Sequence, residues 1–115
     1  MHELSVLMEV IRVVDEKADA DGVDKVKAIV LQIGELSAVI PHFMQEYFPI
    51  LTDEKPRYQD TELVIETIPG IARCQRCGTE YNVAQNEGWC PRCASFKKDL
   101  ISGREFNIKE IVVDA

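Results

Sequence analysis

The sequence predicts a small α/β protein, a two-layer sandwich of a three-stranded sheet with two helices that carries an inserted four-cysteine zinc-ribbon module. Three observations predict it. Apolar residues recur at helical spacing in two stretches, β-branched residues gather in three others, and all four cysteines stand between positions 74 and 93. At 115 residues the chain is long enough for one small core and too short for two ordinary domains, so the cysteine segment reads as a stapled insert.

Taken in order, Leu7, Val10, Ile11, Val14 and Ala18 recur at helical spacing, with Glu9, Arg12, Asp15, Glu16 and Lys17 on the other faces. A helix should therefore begin within a few residues of Met1 and stop at Asp21-Gly22. Val26 to Gly34 is rich in β-branched residues and reads as a strand. Pro41 opens a second helix whose apolar stripe is expected to be Phe43, Tyr47 and Leu51, with Met44 and Phe48 beside it, while Pro49 forces a kink or an early end. Glu62 to Ile68 alternates as a strand up to Pro69-Gly70, and Glu105 to Val113 reads as the last strand. Both ends of the insert thus return to one sheet, and Pro69-Gly70 and Ser102-Gly103 are the expected hinges. The expected division is an α/β domain over 1–70, completed by a strand over 104–115, with a cysteine domain over 71–103. A three-stranded sheet leaves open edges, along which a homodimer could form.

The cysteines come as Cys74-Gln-Arg-Cys77 and Cys90-Pro-Arg-Cys93, with twelve residues between the pairs. Two intervening residues let both thiolates of a pair turn toward one point, and a second pair completes a tetrahedron of sulfur. Two disulfides, an iron site of the same four sulfurs and a catalytic dithiol are the competing readings. The first suits a secreted domain, yet Met1-His2-Glu3 leads straight into an amphipathic pattern with no apolar signal segment. A dithiol needs only one pair, and closed structural sulfur sites are usually zinc rather than iron. Few large apolar residues lie between Cys74 and Cys93, among them Tyr81, Val83 and Trp89, so the segment is expected to depend on its ion to fold.

Net charge is -7, which disfavours nucleic acid as a partner, since affinity there comes mostly from Lys and Arg neutralising phosphates. Arg73, Arg76, Arg92, Lys97 and Lys98 form a local basic patch around the knuckles, read as solvated charges beside an anionic metal site. No apolar run approaches the roughly 18 residues of a membrane span. A soluble cytoplasmic protein without membrane or nucleic-acid partners is expected.

Chemistry gathers at the N-terminus. The Met1 amine, the His2 backbone nitrogen and the His2 imidazole can close chelate rings around one ion, and nitrogen donors in a square suit Ni(II) or Cu(II) better than Zn(II). Glu3 could add an oxygen or steady the imidazole. Any chain beginning Met-His offers these donors, and a surface histidine at a frayed end is the plainer reading. What favours a site is the helix that starts at once from Leu4 and holds His2 in place.

The opening Met1-His2-Glu3-Leu4-Ser5, the Gly34-Glu35-Leu36-Ser37 after the first strand and the late paired Cys-x2-Cys together resemble the HypA/HybF family of hydrogenase-maturation nickel metallochaperones, over essentially the whole chain. The resemblance implies that His2 is a nickel ligand with the Met1 amine and the His2 backbone nitrogen, that Glu3 tunes the site, and that Cys74, Cys77, Cys90 and Cys93 hold structural zinc. It implies delivery of Ni(II) to the [NiFe]-hydrogenase large subunit with a GTP-dependent metallochaperone partner, and in some organisms a link to urease maturation proteins. Some members carry an acidic residue shortly after the Gly-Glu-x-Ser stretch, but Ser37-Ala38-Val39-Ile40-Pro41-His42 has none. His42 is the substitute candidate, with a capping or surface role as the plainer reading.

Two other function classes compete with a carrier. A zinc-ribbon interaction module that ignores nickel would be indifferent to loss of His2. An enzyme needs a nucleophile with a base or an open zinc, and the chain offers only His2 and His42 as imidazoles, a closed four-cysteine site and no phosphate loop. Asp53-Glu54 reads as a solvated turn rather than a catalytic pair. No enzymatic activity is expected.

Overall fold

The computed structural model describes residues 3–114, so the Met1 and His2 donors lie outside the described residues. Helix α1 spans Glu3–Asp21 and buries Leu7, Val10, Ile11, Val14 and Ala18, the stripe that the periodicity predicts. It ends where Gly22 takes a left-handed φ of 69°, with Gly22 N–H donating to Asp19 O at 3.3 Å and Val23 N–H to Ala18 O at 2.8 Å. Those two bonds satisfy carbonyls that the last turn would otherwise orphan, and glycine reaches that conformation without steric cost.

Strand β1 spans Ala28–Gly34, two residues later than the predicted start. Val26 is buried, but its N–H donates to Arg57 O at 3.0 Å instead of joining a strand ladder. Helix α2, Pro41–Leu51, begins on a proline whose missing N–H costs nothing at that position. Its buried residues are Met44 and Phe48, whereas Phe43 is 37% exposed and Tyr47 and Leu51 are half-buried. The expected stripe is therefore rotated by one position. Phe48 meets Tyr58 edge-on at 6.3 Å in the core, while Phe43 and Tyr47 stack on each other at 6.4 Å on the flank. Pro49 sits inside α2, which ends two residues later at Leu51. There the Thr52 hydroxyl and amide both donate to Phe48 O, at 2.7 and 3.1 Å. Asp53 and Glu54 are exposed in the turn that follows, as expected.

A short 3-10 turn, Pro56–Tyr58, buries Tyr58 and donates its hydroxyl to Asp15 at 2.7 Å. Strands β2, Glu62–Ile68, and β6, Phe106–Val112, flank β1 in the order β2-β1-β6. Glu62 N–H donates to Lys27 O and Glu35 N–H to Ile68 O, which makes β2 parallel to β1. Lys27 N–H donates to Val112 O and Gly34 N–H to Glu105 O, which makes β6 antiparallel. A parallel pair needs a crossover, and α2 lies within it.

Between β2 and β6 stand three strands that the sequence reading did not foresee: β3 at Ile71–Cys74, β4 at Glu80–Asn82 and β5 at Lys98–Ser102. They form a second antiparallel sheet in the order β4-β3-β5. The described residues divide into two compact units, one holding residues up to Gln32, Ala38–Glu66 and those from Asn107 on, the other Ile33–Ser37 with Thr67–Phe106. In the first, Leu7, Val14, Ile29, Leu31 and Met44 are fully buried. In the second, the expected hinge glycines are closely packed instead. A Cβ on Gly103 would lie 2.5 Å from Gly70 Cα, and one on Gly34 would lie 2.0 Å from Gly103 O. The two backbones cross at a distance that only bare glycine allows. Among the described residues no helix is long and apolar enough to cross a membrane.

Candidate metal centre

Two matching turns carry the cysteines. In the first, Cys74 closes β3, Cys74 N–H donates to Thr79 O at 2.9 Å, Gly78 N–H donates to Cys74 O at 3.0 Å, and Arg76 N–H reaches Cys74 Sγ at 3.4 Å. In the second, Cys90 N–H donates to Ser95 O at 2.9 Å and Ala94 N–H to Cys90 O at 2.8 Å. Each loop reverses through a left-handed residue just after its second cysteine, Gly78 at φ 78° and Ala94 at φ 62°. Two residues between cysteines and a left-handed exit aim both sulfurs of a pair the same way.

All four Sγ atoms lie within 4.8 Å of one another. Cys74 stands 3.5 Å from Cys93 and Cys77 the same distance from Cys90, across the two turns. A sulfur tetrahedron around an ion with bonds of about 2.3 Å has edges of about 3.8 Å, so the donor set fits a closed tetrahedral site. All four are free thiols, and 3.5 Å is far beyond the roughly 2.05 Å of a disulfide.

The surroundings spread the thiols apart in acidity. The Thr79 hydroxyl and amide bring Cys77 down to about 6. Amides of Cys77 and Arg76 also lower Cys74, against its burial. Cys93, although the Ser95 amide favours its thiolate, is pushed up to about 11 by burial and the neighbouring sulfurs. Four thiolates in one place repel, and a divalent ion removes that penalty. Cys74 and Cys90 also make up half of the small buried cluster they share with Ala72 and Tyr81, whose hydroxyl donates to Gly88 O at 3.2 Å. Much of this unit's interior is therefore thiol rather than hydrocarbon.

Sequence reasoning missed the part played by Glu35. Its carboxylate accepts the Gly70 amide at 3.2 Å and the Asn82 side-chain amide at 3.1 Å, tying the segment after β1 to β4. The Gly-Glu-Leu-Ser stretch was the available signal, and its neighbour Leu36 donates its N–H to Gly103 O at 2.7 Å. Thr79, which sets the acidity of Cys77, carried no signal.

Of the N-terminal candidates the described structure contains Glu3. It opens α1, and its Oε2 accepts the Ile40 amide at 3.0 Å, which fixes the head of the helix to the residue before α2. His42 is exposed, with Nε2 3.2 Å from Glu46 Oε1 one turn on and its ring against Phe43.

Comparison with known proteins supplies the context. Residues 1–113 match the family model described as hydrogenase/urease nickel incorporation, metallochaperone, hypA. The hydrogenase maturation factor HypA of Chlorobium luteolum is 35% identical, over 99% of this chain and 97% of its own length. That of a Nostoc species is 38% identical, over 99% and 96%. The solution structure of the Ni metallochaperone HypA from Helicobacter pylori is similar at a TM-score of 0.64 and 26% identity, covering 96% of both chains.

Proposed function

The chain belongs to the HypA family of nickel-incorporation metallochaperones, which serve hydrogenase maturation, and on that premise we propose that it carries Ni(II) as cargo on its leading residues. The ligands in this reading are the Met1 amine, the His2 backbone nitrogen and the His2 imidazole. The recipient is the [NiFe]-hydrogenase large subunit, reached with a GTP-dependent metallochaperone partner. The first unit serves as the nickel-binding domain. Cys74, Cys77, Cys90 and Cys93 hold Zn(II) as a permanent structural ion in the second, and no catalytic turnover is involved.

The observation that carries this reading is the family match over 1–113, which reaches both the Met1-His2-Glu3 start and all four cysteines. The bond from Ile40 N–H to Glu3 supports it, since it makes Glu3 a positioning residue at the root of the chelate. The closed sulfur tetrahedron supports a division of labour. A site with four protein ligands has no open position through which to hand over its ion, whereas a terminal chelate exchanges ligands readily. Metal titration of zinc-loaded protein tests the assignment, comparing wild type with His2→Ala and with a variant carrying one extra residue before Met1. Wild type should take up one further Ni(II), and both variants should bind it at least about tenfold more weakly. Equal uptake by all three would remove the terminal chelate. If His2→Ala also supports hydrogenase maturation in cells, the chain acts as an interaction module instead.

A further inference from the structure

We propose that the second unit carries a docking surface for a partner protein, built on Trp89 and Phe96, that receives an apolar segment flanked by carboxylates. The two rings meet edge-on at 5.0 Å between centroids and remain 52% and 54% exposed. Neither belongs to the buried cluster of Ala72, Cys74, Tyr81 and Cys90, so the pair is not the interior of its own unit.

Phe96, against which Trp89 rests, is nevertheless held fast. Phe96 lies against bare backbone at Gly88, where a Cβ would come within 2.5 Å of its ring and where φ is 88°. Lys98 closes the other side, with Nζ 3.4 Å from the Phe96 ring centroid and donating to Phe96 O at 2.7 Å. Large aromatics that are exposed and already rigid give binding area at little cost in entropy, and their enrichment at interface centres has this cause.

Charge decides the occupant. From Gly88 to Lys98 the chain carries Arg92, Lys97 and Lys98 and no carboxylate, in a protein whose net charge is -7. Arg92 and Lys97 form no ion pair among the described residues. An acidic segment is steered to this cationic stretch, and an apolar side chain at its centre covers the two rings. Single-stranded nucleic acid also uses aromatic faces and cations, but three cations on so acidic a chain are poor compensation for a phosphate backbone.

Trp89 is the chain's single tryptophan, so its emission reports this surface directly. Metal-replete protein without nickel is titrated with a short synthetic peptide carrying Leu-Phe between Asp and Glu residues, with a matched peptide flanked by Lys, and with a single-stranded oligonucleotide. The acidic peptide should shift the emission and bind at least about tenfold more tightly than its basic counterpart, with an affinity that falls as salt rises. Joint Arg92→Glu and Lys97→Glu substitution should weaken it by about tenfold while leaving metal content unchanged. Phe96→Ala should abolish the shift, and metal content with circular dichroism shows whether that variant keeps its fold. Equal affinity for both peptides, indifference to the charge reversal, tighter binding of the oligonucleotide, or an emission change driven by protein concentration alone would each overturn the proposal. Because nickel is absent throughout, the result does not depend on the terminal chelate.

Discussion

Ala94 occupies a conformation that favours glycine, at φ 62°, while the first cysteine turn places Gly78 at the equivalent point. A left-handed residue with a Cβ costs roughly 1–2 kcal/mol. Ala94→Gly should relieve most of that, offset by the greater freedom of glycine in the unfolded chain. A net gain of about 0.5–1 kcal/mol is expected, measured as resistance of the metal-loaded protein to denaturant. Asp15 presents the opposite case, a residue whose charge is needed. Burial works to raise its pKa, but the Tyr58 hydroxyl at 2.7 Å and the Arg57 guanidinium at 2.8 Å outweigh it and hold the carboxyl below its ordinary value. A lowered folded pKa means that the linked stability is fully present above the unfolded value of about 3.9 and is lost as pH falls through the folded one. Asp15→Asn should cost roughly 1 kcal/mol at neutral pH, since the pair is partly exposed, and should flatten the stability profile below about pH 4. Denaturant midpoints across that range check both statements.

At the scale of elements, the three glycines at 34, 70 and 103 matter more than any helix cap. A methyl group at Gly34 would meet Gly103 O at 2.0 Å, and at Gly103 it would meet Gly70 Cα at 2.5 Å on a backbone with φ 116°. Backbone cannot step aside as a side chain can. Gly34→Ala or Gly103→Ala should each destabilise the second unit by at least about 2 kcal/mol, read as lost metal retention in mild denaturant. Gly70 and Gly103 look like hinges in the sequence because Pro-Gly and Ser-Gly mark turns, and only the crossing of the two chain segments shows that close approach is the reason for glycine. Helix α2 teaches a related lesson. Phe43, Met44, Tyr47, Phe48, Ile50 and Leu51 leave it apolar nearly all round, so its period does not say which side faces inward. Packing chose Met44 and Phe48. Helix α1, with charges on its outer faces, was legible residue by residue.

For the whole molecule, the division into two units with different kinds of interior predicts different fates on metal removal. The first unit buries Leu7, Val14, Ile29, Leu31 and Met44, a hydrocarbon core in its own right. In the second, two of the four buried cluster residues are cysteines of the four-sulfur site. Chelation should therefore abolish amide protection in β3, β4 and β5 while α1 keeps its own, as followed by hydrogen exchange. Loss of protection in α1 at the same chelator concentration would show that the units do not hold independently.

The cysteine spacing, the α1 stripe and the β-branched runs determined a great deal unaided, because each is a local pattern whose meaning is fixed by geometry along the chain. Two residues between cysteines imply a turn whatever surrounds it, and an alternation of apolar and charged residues at 3.6 implies a helix face. Tertiary structure alone decided the rest. Strands of three to five residues are too short to show a period, and β3, β4 and β5 exist because paired turns bring them together. The role of Glu35 depends on Gly70 and Asn82, which lie 35 and 47 positions away. Such contacts leave no trace in local order, since the energy that selects them comes from groups the chain meets only after it has folded.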